Sequence, residues 1–549
     1  MDYDVIVIGS GAGGLSAAVP LAQSGFRVLV CEQHDVPGGW THSFTLGGYR
    51  FSPGVHYIGS LGPGESLRQI YEGLGVSADM AFCELNPDGY DHFYLGEERF
   101  DFPKGREKLI DRLKSRFPDQ VEGIDGYFAT LADFEEKLSN ISQLNSVGNA
   151  LKALSGLPSV LKWYRRTGQD LIDEFITDKL LQGFLAGQSG DHGLPPSQVS
   201  AFMHAGITSH YLEGGYYPLG GAYVIPRAFM RALKKAGGEI RLKTRVNKIV
   251  LEGRKVRGVI LEDGEEIGCS SVISNADPEI TFGQMIGREH LSNRLLRKLN
   301  NAKYSVSALS LFFAVDMDLR EAGLDSGNFW FYENENVDKL YQLGLTDYAI
   351  RAETPPMMFL TTTTLKDPSK MHDGYHTCES FTFVSYDAFK KYQHPERGKR
   401  IPGYEGLKED IAWRMFKGLE KRIPGISQHI VFWDLGTPLT NEYYLNATYG
   451  NLYGIEKSVS QVGPGAFSIK TEFDGLFLCG ASTTSHGVSG ATASGLTVAK
   501  TIMGCKIDDL LTQNGPLLQI YPSEDTTQWP DNFQKMIERG RKKKVKQGN

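Results

Sequence analysis

The sequence has few cysteines, no long apolar run and no excess of positive charge. Six cysteines are scattered over 549 residues without a CxxC pair or a cysteine–histidine metal spacing, so neither a disulfide framework nor a metal site is expected. No window of about 18 uncharged apolar residues is present, which predicts that no helix crosses a membrane. A formal net charge of −7 argues against a general nucleic-acid-binding surface, so no nucleic-acid partner is expected.

The composition is that of a folded protein with many glycines. Hydrophobic residues make up 41% and charged residues 22% of the chain, an ordinary balance for a globular protein. The 63 glycines exceed the usual share of about 7% and indicate many places where the backbone turns tightly or lies close to a ligand. The N-terminus opens directly into a strand-like run, so we expect no cleavable signal and a reducing, cytoplasmic compartment.

A dinucleotide-binding pattern occupies the start of the chain. A short apolar run leads into a GxGxxG turn and a predicted helix, and a second apolar run ends at Glu32, roughly 20 residues after the turn. The glycines allow a tight turn and a close backbone approach to a pyrophosphate, while the Glu32 carboxylate can accept hydrogen bonds from ribose hydroxyls. Pro20 lies inside the predicted helix, where we expect a kink or unusually good packing. The predicted cradle consists of Gly9, Gly11, Ala12, Gly13 and Gly14.

Later segments resemble those of flavoproteins. Gln33, Gly38 and Gly39 follow Glu32 closely, as in FAD enzymes of the glutathione-reductase-like class. The chain is similar to the phytoene desaturase, carotenoid isomerase and retinol saturase family of FAD-dependent oxidoreductases, and closest to its retinol saturase-like members. The stretches that carry this likeness are Gly54-Val55-His56-Tyr57-Ile58-Gly59, 203–221, 437–444 and Tyr453-Gly454.

The resemblance implies an α/β fold, with an FAD-binding Rossmann-type domain of the glutathione reductase/amine oxidase kind and an interleaved α+β substrate domain. The expected pieces are 1–65, 215–290 and 465–505 for the FAD-binding domain, 66–214 and 291–464 for the substrate domain, and 506–549 for a C-terminal extension with a basic tail. Alternating segments predict strands at 240–246 and 255–261, followed by a hairpin turn at Asp263-Gly264. Strand-like runs at 305–315, 357–365 and 380–385 predict an antiparallel sheet over a cavity.

The resemblance also implies which residues bind FAD. Val246 corresponds to a valine whose backbone contacts the adenine, and Asn275 opens an Asn-Ala-Asp-Pro segment that is a family feature. A strand that ends at Gly480 leads to a helix predicted to begin near Ser489, whose dipole would stabilise the anion of a reduced flavin. His486 stands where carotene desaturases often carry a proline. The expected FAD-binding residues are Gly9, Gly11, Ala12, Gly13, Gly14, Glu32, Gln33, Gly38, Gly39, Val246, Asn275, Gly480, Gly490 and Ala491.

The family further implies an enzyme that acts on a hydrophobic conjugated polyene, a retinoid or a carotenoid. We expect saturation of one carbon–carbon double bond by hydride transfer from flavin N5; redox-neutral cis–trans isomerisation with reduced FAD and phytoene desaturase-type dehydrogenation are the alternatives. An isoprenoid carrier of the GDP-dissociation-inhibitor type is the alternative from another class, and the intact glycine set argues against it. The sequence has no second GxGxxG, so electrons would come from an unknown external donor. The candidate proton donors are His56, Tyr57, His204 and His210.

Residues 145–166 carry apolar side chains at helical spacing beside lysines and arginines. This pattern is typical of a helix that lies in a membrane interface, with a core-facing surface helix as the alternative. The basic tail at 539–546 can contact anionic lipid, although a solvated end is the commoner role of such a tail. We therefore expect a cytoplasmic protein with peripheral membrane contact.

Overall fold

The computed structural model describes residues 2–142, 158, 160–396 and 398–542. Most of the predicted membrane-contact segment, 145–166, and the last lysines of the basic tail lie outside these ranges. The strands in the described ranges are β1 Tyr3–Ile8, β2 Val28–Cys31, β3 Phe44–Leu46, β4 Tyr49–Phe51, β5 Ala81–Glu84, β6 Asp91–Leu95, β7 Glu98–Phe102, β8 Tyr216–Pro218, β9 Glu239–Arg241, β10 Val246–Glu252, β11 Lys255–Leu261, β12 Glu266–Ser274, β13 Ser307–Val315, β14 Asn328–Tyr332, β15 Met357–Thr362, β16 His376–Val384, β17 Ile430–Gly436, β18 Leu476–Leu478 and β19 Gln519–Pro522.

α-Helices of eight residues or more surround these strands. In chain order they are α1 Ala12–Gln23, α2 Ser66–Gly73, α3 Arg106–Arg116, α4 Val121–Ser142, α5 Gly168–Phe175, α6 Ala201–Tyr211, α7 Val224–Lys235, α8 Asn293–Asn300, α9 Val337–Gly344, α10 Tyr404–Glu420, α11 Pro438–Leu445, α12 Gly487–Met503 and α13 Asp531–Arg541. In the part of the chain that is described, no helix is long and apolar enough to cross a bilayer.

The first sheet has the order β10-β11-β12-β1-β2-β9, and β18 pairs with β12. Strand β1 lies in its middle and runs parallel to β2 and β12, which explains its continuous apolar sequence. All strands of this sheet fall within 1–65, 215–290 and 465–505. Because parallel strands present their carboxyl ends at one edge, the segments after β1, β2, β12 and β18 meet there.

The second sheet has the order β17-β13-β16-β15-β14-β6-β7. The pairs β13–β16 and β15–β16 are antiparallel, so the antiparallel sheet predicted from the three strand-like runs is confirmed. Strand β15 ends at Thr362, three residues before the end of the predicted run 357–365, and β16 starts at His376, four residues before the predicted run 380–385. The strands of this sheet come from the two insertions between the pieces of the first sheet, so the chain passes repeatedly between the two sheets.

Helix α1 packs against α12, and small residues make the contact close. A Cβ on Gly495 would lie 2.1 Å from the carbonyl oxygen of Gly13, and the Ser16 hydroxyl donates to the carbonyl of Thr492 at 3.0 Å. The α1 helix continues through Pro20, which is buried. Tertiary packing therefore holds α1 together where the proline removes one of its backbone donors.

The structure corrects two boundaries. The segment 240–246 is two strands, because Lys243 adopts a left-handed conformation with φ of 53° and donates its N–H to the carbonyl of His34. The last glycine-rich helix begins at Gly487, two residues before the predicted start at Ser489. The predicted hairpin at Asp263-Gly264 is confirmed by the antiparallel pairing of β11 and β12.

The described end of the predicted membrane-contact segment does not present one uniform face. Leu161 is 63% exposed, whereas Trp163 is buried with its ring 5.8 Å from that of Phe134. Lys162 and Arg166 both form ion pairs with Glu174, which lies on α5. Trp163 therefore belongs to the protein core, and Leu161 is the apolar side chain that this part of the segment exposes.

Candidate active site

The glycine turn after β1 lines a cavity of about 1180 Å³. Gly9 has a φ of 92°, and its N–H donates to the carbonyl of Cys31, so it carries the chain out of the strand in a conformation that favours glycine. A Cβ on Gly13 would lie 2.7 Å from Oδ1 of Asn275 and 2.8 Å from the backbone nitrogen of Gly480. Three distant parts of the sequence thus meet where only a glycine fits.

Glu32 lies on the wall of the same cavity and is buried. Its carboxylate accepts hydrogen bonds from the backbone N–H and the hydroxyl of Ser10, at 2.9 and 2.6 Å, and from the N–H of His34 at 2.9 Å. A carboxylate has about four acceptor sites. These three bonds fix its orientation and leave about one acceptor site for a ribose hydroxyl.

The cavity fits FAD. The N-termini of α1 and α12 both reach its wall, and their partial positive charge suits a pyrophosphate or a reduced flavin. Its volume lies above the range of about 300–1,000 Å³ that is usual for ligand pockets. Gly14 lies behind the turn, where its Cβ would meet the carbonyl of Gly9 at 2.1 Å. The other predicted FAD-binding residues line the cavity: Gly9, Gly11, Ala12, Gly13, Glu32, Gln33, Gly38, Gly39, Val246, Asn275, Gly480, Gly490 and Ala491.

Another part of the cavity wall is aromatic. Phe359 on β15 and Phe381 on β16 stack with ring centroids 4.6 Å apart, and both contact the ring of His56. Phe202 and Ile207 on α6 add apolar surface to the same cavity. The second sheet and α6 therefore supply a surface suited to an extended apolar ligand beside the glycine cradle.

His56 is held by a buried acid. Its Nδ1 lies 2.9 Å from Oε2 of Glu379, and the other oxygen of Glu379 accepts the N–H of Ser52 at 2.7 Å. Because the carboxylate is an acceptor, Nδ1 carries the hydrogen, and Nε2 is left available to a ligand. The backbone carbonyl of His56 accepts a hydrogen bond from Lys366, whose pKa burial lowers to about 7.

Tyr57 lies between two aspartates, of which Asp91 is buried and Asp191 is partly buried. Its hydroxyl oxygen is 2.7 Å from Oδ2 of Asp191 and 3.0 Å from Oδ2 of Asp91. The ring of Tyr57 stacks on that of Tyr211, with centroids 4.2 Å apart. Burial raises the pKa of Tyr57 and of Asp191 well above their usual values. Tyr57 and Asp191 both line the cavity, so a carboxyl group and a phenol border the ligand space.

The other two candidate histidines are neutral. His210 lines the cavity, but its Nε2 accepts the N–H of Gly59 at 3.0 Å, and its Nδ1 lies 2.8 Å from the hydroxyl of Ser60. His204 lies outside the cavity wall, with Nε2 2.9 Å from the hydroxyl of Tyr127. Burial lowers the pKa of each to about 4. The structure thus brings His56, Tyr57 and His210 together around the cavity and leaves His204 behind it.

Sequence reasoning missed two acids and undervalued one histidine. Asp191 ends a short 3-10 turn, Gly187–Asp191, in the first insertion, and Glu379 is the only carboxylate in β16. A lone acid within an otherwise uncharged strand is a signal that a sequence search can use. His486 donates its Nε2 hydrogen to the backbone carbonyl of Asp191 at 2.8 Å, and within the described residues its buried Nδ1 has no partner.

Comparisons with known proteins agree with this geometry. The family model described as flavin containing amine oxidoreductase matches residues 12–367. The chain is 29% identical over 533 residues to the all-trans-retinol 13,14-reductase of Danio rerio, covering 91% of this chain and 86% of that protein. It is 29% identical over 518 residues to the chloroplastic prolycopene isomerase of Arabidopsis thaliana, covering 90% of this chain and 82% of that protein. A solved putrescine oxidase aligns with a TM-score of 0.61 at 16% identity, covering 92% of this chain and 99% of that one, which confirms the predicted fold class.

Proposed function

We propose that this chain, which belongs to the flavin containing amine oxidoreductase family, saturates one double bond of a lipophilic conjugated polyene. The observation that carries the proposal is the continuity of one cavity between the glycine cradle and the aromatic wall of Phe359 and Phe381. An extended apolar ligand in that cavity would lie beside the cofactor. Similarity to all-trans-retinol 13,14-reductases over most of both chains supports a polyene as the ligand.

Membership of the family makes the chain a flavin-dependent oxidoreductase and confirms the predicted FAD cofactor. Reduced FAD, when bound, supplies a hydride, which carries both electrons that saturation of one double bond requires. The chain's own residues bind the dinucleotide and the polyene and orient them. The glycine cradle and Glu32 hold the dinucleotide, and the aromatic wall aligns the polyene and excludes water. Glu379 keeps the ring of His56 in one orientation against that wall.

A second candidate reaction is cis–trans isomerisation of a carotenoid, in which the flavin stays reduced. The similarity to prolycopene isomerase, at the same identity and nearly the same coverage as to the retinol reductase, favours it as the alternative. Both reactions need an apolar cavity beside the cofactor. They differ in the product, so product analysis separates them.

We also propose peripheral membrane contact and delivery of electrons by an external donor. A water-insoluble polyene has to be taken from a lipid phase. Leu161 exposes apolar surface near the end of segment 145–166, whose sequence pattern predicts a helix in a membrane interface. Leu161→Glu should reduce flotation with anionic liposomes, whereas Leu517→Glu, at a similarly exposed position remote in sequence, should not. If both variants floated as well as the unaltered protein, contact through Leu161 would be contradicted.

The test of the function is an anaerobic single-turnover experiment. The bound flavin is reduced with dithionite, all-trans-retinol or a poly-cis carotene is added in detergent, and flavin absorbance is followed together with the product. Stoichiometric reoxidation with a dihydro product supports the saturase. Geometric isomers formed while the flavin stays reduced support the isomerase. No product from either polyene would contradict the proposed substrate class.

A further inference from the structure

The hydroxyl of Tyr57 has more carboxylate neighbours than it has hydrogens. A phenol carries one O–H, yet its oxygen lies within hydrogen-bond distance of Oδ2 of both Asp91 and Asp191. If both acids were ionised, one of these contacts would set an unshared oxygen lone pair against a carboxylate. The geometry therefore requires one proton on a carboxyl group, in addition to the phenol hydrogen.

The surrounding donors decide which carboxyl holds that proton. Asp91 accepts hydrogen bonds from the side chains of Gln188, Asn328 and Trp330, at 3.0, 3.0 and 3.1 Å, besides that of Tyr57. Asp191 is bonded through its carboxyl to Tyr57 alone among the described residues. Donors stabilise a carboxylate, so Asp91 carries the charge and Asp191 carries the proton. Burial and the negative charge of Asp91 both raise the pKa of Asp191.

Asp191 also has the position that a proton donor needs. Its residue lines the cavity, whereas Asp91 does not. Its backbone carbonyl is fixed by His486 at the N-terminus of α12, and its carboxyl is fixed by Tyr57, which stacks on Tyr211. The acid is thus held rigidly between the helix that bounds the cofactor pocket and the segment that carries His56.

We propose that Asp191 is the catalytic acid that protonates the polyene, with Tyr57 as the group that positions it and shares its proton. This inference rests on the proposed saturase function. The hydride from the reduced flavin forms one new C–H bond, and the Asp191 proton forms the other on the adjacent carbon as the double bond breaks. Asp191 ends as a carboxylate that accepts the Tyr57 hydroxyl hydrogen, and the flavin ends oxidised, so atoms and electrons balance.

Asp191→Asn is the first variant, because it keeps the size of the side chain and removes the proton. In a single turnover with dithionite-reduced enzyme and all-trans-retinol, formation of the dihydro product should fall about 10²–10⁴-fold, the usual contribution of a general acid. FAD absorbance and retinol binding should stay as in the unaltered protein. Asp263→Asn is the matched control, because this exposed aspartate lies in the hairpin between β11 and β12 and away from the cavity, and it should retain the full rate. A wild-type rate for Asp191→Asn would overturn the proposal.

The pH profile separates a chemical role from a structural one. Asp91→Asn removes a negative charge that raises the pKa of Asp191, so the loss of rate at alkaline pH should move to lower pH. Tyr57→Phe removes a hydrogen bond that lowers this pKa, so the loss of rate at alkaline pH should move to higher pH. Opposite shifts in the two variants support the proposal. If neither variant shifts the pH at which the rate is lost, the proposal is overturned. The titratable side chains around Asp191 are Asp91, Tyr57, Tyr90, Tyr211, Tyr332, Tyr341, Tyr453 and His486, and burial keeps the tyrosines neutral.

An infrared measurement tests the protonation state without turnover. The FAD-loaded protein at neutral pH should show the carbonyl stretch of a protonated carboxylic acid, and Asp191→Asn should lose it. If the band is present but no polyene is converted, the proposed function fails while the assignment of the buried acid stands. If the unaltered protein makes dihydro product and the band is absent or survives in Asp191→Asn, the proton donor is another residue.

Discussion

His56 and Glu379 form a buried hydrogen bond across the two halves of the molecule, with Nδ1 2.9 Å from Oε2. His56 belongs to a loop of the first piece of the chain, and Glu379 to β16 of the second sheet. The same carboxylate accepts the N–H of Ser52. One acid therefore fixes the loop of His56 and Tyr57 against the aromatic wall of the cavity.

Replacement of Glu379 by glutamine should destabilise the protein. The amide presents one oxygen and one NH2 group, so it cannot accept from both Ser52 and His56. Hydrogen bonds to a charged group contribute about 1.5–3 kcal/mol, and the free energy of unfolding should fall by about that amount. Urea unfolding measures it. Glu405→Gln, at an exposed side chain, should change it by less than about 0.5 kcal/mol, and equal effects of the two variants would refute the role of Glu379.

A methyl group on Gly13 should prevent FAD binding. In Gly13→Ala the new Cβ would press on the backbone nitrogen of Gly480, which is part of the turn after β18 and has little freedom to move. We expect this variant to purify without flavin absorbance. Gly406→Ala is the control, since a Cβ there, on the exposed side of α10, meets nothing within 4 Å. Full flavin content in Gly13→Ala would contradict the predicted cradle.

Glu32→Gln should weaken FAD binding by about tenfold to a hundredfold, which corresponds to the loss of one charge-assisted hydrogen bond. The carboxylate is predicted to accept a ribose hydroxyl, and a glutamine in the same place offers one acceptor fewer. Titration of the apoprotein with FAD measures the affinity. Glu239→Gln, at the start of β9 and away from the cavity, provides the matched control. An affinity unaffected by Glu32→Gln would show that another group holds the ribose.

His210 should make the folded protein less stable in acid. Burial lowers its pKa to about 4, from about 6.5 in the unfolded chain, so between these values the unfolded state binds more protons. Its contribution to stability is therefore present above pH 6.5 and is lost as the pH falls toward 4. His210→Gln should show a smaller drop in unfolding free energy between pH 7 and pH 4.5 than the unaltered protein. The control His290→Gln, at an exposed site, should show the same drop as the unaltered protein.

The cofactor half of the site could be predicted from the sequence because its signals are local. A buried strand, a glycine turn and an acid at the end of the next strand all lie within one βαβ unit, and the geometry of that unit fixes their relative positions. The same holds for the hairpin at Asp263-Gly264 and for the strands of the second sheet. The errors were equally local: a left-handed Lys243 divides one predicted strand, and nothing in the alternation of 240–246 signals it.

The substrate half was decided by the tertiary structure. Glu379 reaches His56 because β16 lies beside β13 and β15, and Asp191 reaches Tyr57 because a turn in the first insertion packs against the loop after β4. No periodicity or motif links these residues, since their partners are distant in the chain. Local signals in the sequence were enough to predict the FAD cradle and to identify the family. Only the packing of the insertions over the cradle decided which acid is charged and which holds a proton, because burial and hydrogen-bond partners set those states.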